Sequence, residues 1–167
     1  MIAIVAIDQA NGIGRDGQLL QPLHQDLKRF KEITMGKVLI YGSKTLATFP
    51  GKKTLPGRLN LILSRRLQAE DVPSGEIMRS LDDLLARLEE LKAAGRTEDD
   101  FCVIGGASVY QALLPYTHRV ELTRIDQVYP ADAYFPDLEA EGFIRQEQGP
   151  TLSEGDINFR YETWIRP

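Results

Sequence analysis

Apolar and polar positions along this 167-residue chain follow two alternating rhythms. Met1 to Ile7 is an unbroken apolar run, the pattern of a strand buried on both faces. Similar runs predict strands at Lys37–Tyr41, Leu59–Ser64 and Phe101–Ile104, with a short one at Glu76–Met78. Helical spacing predicts helices over Pro22–Thr34, Ser43–Thr48, Ser80–Ala94 and Ala107–Leu114. Ser80 is placed to cap the third of these, with Asp82 and Asp83 in its first turn. Between them lie a glycine-marked loop, Asp8–Gln21, and a turn-rich stretch, Phe49–Gly57. After Arg119 the pattern changes: Val120–Ile125 and Asn158–Ile165 alternate like strands that pair antiparallel to each other. The predicted fold is α/β, a central, mostly parallel twisted sheet with an antiparallel C-terminal edge strand and helices on both faces. Residues 1–167 read as one domain without repeat, linker or low-complexity segment.

One position breaks the helical pattern. The apolar stripe of the first helix runs Leu23, Leu27, Phe30, Ile33, and Asp26 lies inside it, while Lys28, Arg29, Lys31 and Glu32 take the other side. A carboxylate among apolar neighbours is costly to keep ionised, so its pKa should rise. Such a group holds or delivers a proton, or binds an amidine-like ligand edge. The alternative is a helix-flank aspartate that turns to solvent or caps the first turn.

Composition removes several function classes. Hydrophobic residues at 43% and charged residues at 26% are ordinary for a globular chain, and a net charge of -4 gives no global pull toward nucleic acid or anionic membrane. No run has the length of a transmembrane helix, and the first residues lack the basic start and cleavage site of a signal peptide. A single cysteine, Cys102, forbids an intramolecular disulfide and suits a reducing compartment. His24 and His118 are too isolated to suggest a metal site.

Two strand-to-helix turns carry glycine: Gly42-Ser43-Lys44-Thr45 and Gly105-Gly106-Ala107-Ser108. At the carboxyl ends of parallel strands, two such turns with helix N-termini behind them would clamp a diphosphate. Ser64-Arg65-Arg66 ends a third strand and suits a further phosphate. Taken singly, these glycines also serve as plain turn formers. Gly12-Ile-Gly14-Arg-Asp-Gly17 matches G-x-G-x-x-G, but no helix opens within it, so it reads as a flexible loop beside the site. Gly42–Thr45 lacks the upstream glycine register of a P-loop. Arg58, in the turn Pro56-Gly57-Arg58, suits a bidentate grip on a carboxylate, or is a surface arginine.

In order and spacing, the set Ile4–Ala6, Ile13-Gly14, Asp26-Leu27-x-x-Phe30-Lys31, Gly42-x-x-Thr45, Leu55-Pro-Gly-Arg58, Leu61–Ser64, Val103–Gly106 with Val109-Tyr110, Leu122-Thr123 and Phe135-Pro-Asp137 resembles the dihydrofolate reductase family over essentially the whole chain. The resemblance implies reduction of 7,8-dihydrofolate to tetrahydrofolate, with hydride transferred from NADPH to C6. It implies that Asp26 binds the pterin 2-amino group and N3 and promotes protonation of N5, with Thr123 holding Asp26 and an ordered water. Ala6, Leu27, Phe30, Phe49 and Ile104 would line the slot, Leu55 would pack on the aminobenzoyl ring, and Arg58 would take the glutamate α-carboxylate. Gly105, Gly106, Ser43, Lys44 and Thr45 would hold the diphosphate, and Ser64 and Arg65 the 2′-phosphate. The cofactor side extends to Ile13, Gly14, Leu19, Gly42, Leu63, Ala107, Ser108, Val109 and Tyr110. Residues from Gly12 to Gln21 would form a mobile loop over the nicotinamide. The resemblance further implies a cytoplasmic monomer acting on a small molecule.

The chain departs from the family pattern at three places. Gln21 stands where a tryptophan is usual, His24 is an unusual neighbour for the acid, and Ser43 occupies a position often held by arginine. With Lys44 and Arg65 as the remaining phosphate grips, preference for NADPH over NADH is expected to be weaker. Two other readings stand beside the first: an NADPH-dependent pyrimidine reductase of riboflavin synthesis, and a non-catalytic relative that binds pterin or nucleotide.

Overall fold

The computed structural model describes residues 1–167. Its strands are β1 (Ile2–Ile7), β2 (Gly12–Arg15), β3 (Gln18–Leu19), β4 (Val38–Gly42), β5 (Leu59–Leu63), β6 (Glu76–Met78), β7 (Phe101–Gly105), β8 (Arg119–Ile125), β9 (Ala133–Tyr134), β10 (Ile144–Gln148), β11 (Leu152–Glu154) and β12 (Ile157–Ile165). The helices are α1 (His24–Thr34), α2 (Ser43–Leu46), α3 (Leu81–Ala93) and α4 (Ala107–Leu113).

The main sheet runs β10-β12-β8-β1-β7-β4-β5-β6, with β11 also paired to β12. Every neighbouring pair from β8 to β6 is parallel. β12 lies antiparallel to β8, with Tyr161 opposite Thr123. This is the expected mostly parallel sheet, but β12 is not its rim. β10 and β11 both pair with its outer side. β10 reads Ile-Arg-Gln-Glu-Gln and is exposed at every position, so no apolar alternation announces it.

Side-chain alternation on β4 explains the layering. Val38 and Ile40 enter one core with Leu84 and Leu88 of α3 and Val109 and Leu113 of α4. Leu39 and Tyr41 enter the other with Leu46 of α2, against which Phe30 of α1 packs. Successive strand residues point to opposite faces, so a run apolar throughout requires a covering helix on each.

Three local expectations are corrected. Helix α1 starts at His24, not Pro22; Leu23 is extended (φ -122°) because it is buried with Ile125 of β8 and Phe159 of β12. The stretch from Asp8 to Gln21 is not plain loop: β2 and β3 form a hairpin, closed by Asp16 (φ 51°) and Gly17 (φ 76°), and β2 also pairs with β9. Two successive positive φ values are what a two-residue hairpin turn requires, and Asp-Gly supplies them at low cost. The helix after Gly42 stops at Leu46, ahead of a short 3₁₀ turn at Pro50–Lys52.

Candidate active site

The parallel strands end together, and their carboxyl ends gather residues from distant parts of the chain. Asp26, in the first turn of α1, faces Thr123 of β8, whose Oγ1 donates a 2.6 Å hydrogen bond to Asp26 Oδ1. The stripe reading placed Asp26 among apolar neighbours, and burial does dominate its ionisation: it pushes the carboxyl above its ordinary value. The Thr123 hydrogen bond and the Arg29 charge act in the opposite direction, while the Glu154 charge adds to the rise.

Two side chains of α1 sit differently from expectation. Leu27, expected in the core stripe, is 48% exposed. It lines a small cavity of about 20 Å³ beside Asp26, shared with Ala6, Ile13, Leu19, Leu20 and Gln21. Leu27 is thus open at a cleft mouth rather than packed in the core. Arg29, expected on the solvent side, reaches back over the sheet: its guanidinium lies 4.1 Å from the Tyr161 ring centroid and 3.2 Å from Glu121 Oε2. Its long stem makes this possible, which helix spacing alone does not show.

A second group forms an apolar wall. Phe30, Phe49, Leu55 and Ile104, from four separate segments, are all partly buried against the Leu39–Tyr41 core, together with Ile4. Ile4 was not among the expected lining residues; with Ala6 it is one of two partly exposed positions on a strand whose other residues are buried. At the end of this wall Arg58 donates to Pro56 O (3.0 Å) and Thr34 Oγ1 (3.2 Å). The turn that presents it is held by Asn60, 1% exposed, whose Nδ2 donates to Leu55 O and Arg58 O, both at 2.9 Å. Asn60 Oδ1 accepts from Tyr41 Oη (2.7 Å) and Leu55 N (3.2 Å). A polar residue inside an apolar strand was the overlooked signal: buried amides need partners.

The two glycine turns meet. A Cβ placed on Gly105 would lie 3.1 Å from Thr45 Oγ1, and Gly105 adopts φ 131°, which disfavours any side chain. A Cβ on Gly42 would lie 3.2 Å from Val109 Cγ2. Tyr110 reaches under this junction and donates to Ile4 O at 2.6 Å. Thus Gly42, Thr45, Gly105, Gly106, Val109 and Tyr110 form one cradle, with Ala107 beside it and Ser43, Lys44 and Ser108 exposed at its rim. One strand further out, beyond Leu63, Ser64 Oγ accepts from the N–H groups of Arg66 and Leu67. Arg79, at the end of β6, donates to Ser64 O at 3.2 Å. The arginine ion pairs are made by Arg15, Arg29, Arg87, Arg119, Arg124 and Arg160, and none by Arg58, Arg65, Arg66 or Arg79. A backbone cradle followed by three unpaired guanidiniums fits a phosphorylated dinucleotide with a further phosphate. Arg79 was not singled out from sequence, since nothing local shows that β6 lies beside β5.

The β2–β3 hairpin, carrying Ile13, Gly14 and Leu19, covers the Asp26 cavity. The N–H of Asp16 donates to Asp132 Oδ2 at 2.9 Å, and the N–H of Asp132 to Gly14 O at 3.0 Å. At the hairpin base the buried Asp8 carboxylate accepts from the N–H groups of Ala10 and Gly12 (2.8 Å each) and Tyr129 (2.9 Å). Gln21 Oε1 accepts from Tyr129 Oη at 3.5 Å. A larger depression of about 670 Å³, between Leu88 and His118 at the opposite end of the strands, has its charged groups already paired: Glu98 with the Met1 amine and Lys92, His118 with Asp99.

Comparison with known proteins agrees with this geometry. Residues 1–166 match the family model described as dihydrofolate reductase. The chain is 30% identical over 165 residues to the dihydrofolate reductase of Enterococcus faecium, covering 98% of this chain and 95% of that protein. It is 35% identical over 177 residues to the mouse (Mus musculus) dihydrofolate reductase, covering 96% and 94%. It is 37% identical over 136 residues to that of Mycobacterium tuberculosis, covering 80% and 76%.

Proposed function

This chain belongs to the dihydrofolate reductase family, and we propose from that premise that it reduces 7,8-dihydrofolate to 5,6,7,8-tetrahydrofolate with NADPH. The Asp26–Thr123 hydrogen bond at the covered end of the cleft carries the reading. A carboxyl held up in pKa, accepting from one hydroxyl and flanked by apolar surface, suits the 2-amino and N3 edge of a pterin. From there it promotes protonation of N5 as C6 accepts the hydride. Bound NADPH supplies that hydride. Ala6, Leu27, Phe30, Phe49 and Ile104 bind the pterin and exclude water, Leu55 packs on the aminobenzoyl ring, and Arg58 takes the glutamate α-carboxylate. The cradle of Gly42, Ser43, Lys44, Thr45, Gly105 and Gly106 holds the diphosphate, with Ala107, Ser108, Val109 and Tyr110 behind it. Ser64, Arg65 and the neighbouring Arg79 hold the 2′-phosphate. Ile13, Gly14 and Leu19 close over the nicotinamide.

A pyrimidine reductase is the weaker reading because its substrate has no glutamate tail to occupy the unpaired Arg58. The buried thiol of Cys102 suits a reducing cytoplasm, where we place the enzyme as a monomer. Consumption of NADPH by the purified protein with dihydrofolate, beside the Asp26→Asn variant, tests the reading. Turnover that collapses in the variant supports it. Tight NADPH binding without dihydrofolate turnover would refute it.

A further inference from the structure

Helix α1 has no side-chain cap of its own: Leu23 precedes it, and no side chain within the helix accepts from its first N–H groups. The partner comes from the other end of the chain. Glu154, the last residue of β11, accepts from the N–H of His24 at Oε2 (2.8 Å) and from the N–H of Gln25 at Oε1 (2.9 Å). Gln25 Nε2 donates in turn to Ser153 O at 3.0 Å. These three hydrogen bonds tie the first turn of α1 to the β11–β12 hairpin. That turn ends on Asp26, immediately after Gln25.

We propose that Glu154 is a positioning residue for Asp26: its carboxylate fastens the first turn of α1 to β11, fixing where Asp26 meets Thr123, and sets a second negative charge at the helix's positive end. The inference rests on the reading of Asp26 given above. The physical reason is competition for the helix terminus. The N–H groups of a first turn stabilise a nearby anion, but here a second carboxylate already occupies two of them. Asp26 therefore gains less from the helix and feels a like charge.

The other groups facing Asp26 act in known directions. Thr123 on β8 donates to it, and Arg29 on α1 draws it toward the ionised form. Tyr110 on α4 and Tyr161 on β12 are neutral phenols, both held above their ordinary range by burial and by the charge of Asp26. Glu154 itself is held below its ordinary value by the two backbone hydrogen bonds, with the nearby His24 charge assisting. It is therefore ionised at neutral pH. The hairpin that covers the cavity presents only uncharged residues there, among them Ile13 and Leu19, and Gln21 just after it is also uncharged.

The test compares wild type, Glu154→Gln and Glu154→Asp in the full chain. The Asp26 carboxyl is followed by carbon-13 NMR across a pH titration without substrate, and the hydride-transfer rate is measured over the same range. In Glu154→Gln, Asp26 is expected to titrate at lower pH than in wild type. Transfer above neutral pH should slow roughly two- to fivefold, the size of a charge effect at a helix end, with the acid plateau retained. The charge-keeping Glu154→Asp should stay near wild type, and added salt should narrow the difference. Superimposable Asp26 titrations, or a loss of rate equal at every pH, would overturn the proposal and leave Glu154 a plain clamp. Because the titration needs no turnover, an inactive protein whose Asp26 still shifts would refute the reductase reading alone.

Discussion

Thr123 Oγ1 and Asp26 Oδ1 lie 2.6 Å apart though 97 positions separate them in the chain. The hydroxyl fixes one carboxyl oxygen and leaves the other for a ligand, so the pair works as a bracket with one open arm. Replacing Asp26 by Asn keeps an acceptor for Thr123 but removes the carboxyl's charge and its transferable proton. Asp26→Asn is therefore expected to slow hydride transfer by about 10²–10⁴-fold with the fold intact. Single-turnover kinetics beside a circular dichroism spectrum checks this.

The same group sets a pH dependence whose sign follows from burial. Burial outweighs the Thr123 and Arg29 contributions and raises the Asp26 pKa. The proton-bearing enzyme is then constant at low pH and declines as pH rises through that raised value, by about tenfold per unit beyond it. Stability follows the same window. The folded state binds the proton more tightly than the unfolded chain, so the stabilisation is full below the ordinary carboxylate pKa and is lost as pH rises through the raised one. Thermal melts should show Asp26→Asn more stable than wild type at neutral pH, with the gap closing in acid.

Arg58 has no carboxylate partner, and its guanidinium is held by Pro56 O and Thr34 Oγ1. Loss of a charge-assisted hydrogen bond to substrate costs about 1.5–3 kcal/mol, so Arg58→Leu should raise KM for dihydrofolate roughly 10- to 100-fold. The rate of the chemical step should change little. Steady-state and single-turnover rates together separate the two effects.

Asn60 lies under the turn that carries Arg58. Asn60→Ala removes the amide that serves Leu55 O, Arg58 O and Tyr41 Oη in one buried spot. Leaving buried polar groups unsatisfied costs about 1–3 kcal/mol each, so denaturant unfolding should show a loss of at least about 2 kcal/mol. Any protein that still folds should bind dihydrofolate less tightly, because Leu55 and Arg58 lose their common support.

Much of this was legible in the chain. The apolar runs gave the parallel strands because both faces of each are covered, and Asp26 stood out because a carboxylate interrupts a helical stripe. What was missed depends on pairing between distant segments. β10 carries no apolar alternation, and β9 is two residues long, defined only by its contact with β2. Glu154 reaches helix α1 from the far end of the chain and Arg79 reaches the end of the neighbouring strand, so no local pattern marks either. One difference is local: Asp16-Gly17 is a strong hairpin signal, whereas the glycine spacing by itself suggests a flexible loop. The exposure of Leu27 is of another kind, since an apolar position fits core and ligand pocket equally until the neighbours are placed.

Gly105 offers a check on the cofactor cradle. A methyl group there must displace Thr45 Oγ1, 3.1 Å away, and hold φ 131°. Backbone placement of this kind costs about 1–3 kcal/mol for a non-glycine residue. Gly105→Ala is expected to lower Tm and to weaken NADPH binding, read by fluorescence titration, whereas Gly95→Ala, with open space around it, should leave binding unchanged.

The position of β1 in the sheet also bears on how the chain is born. Its only two neighbours, β7 and β8, span Phe101–Gly105 and Arg119–Ile125. As the polypeptide leaves the ribosome, its first apolar strand stays unpaired on both edges until more than half of the sequence has followed. An apolar strand without neighbours invites association with other chains.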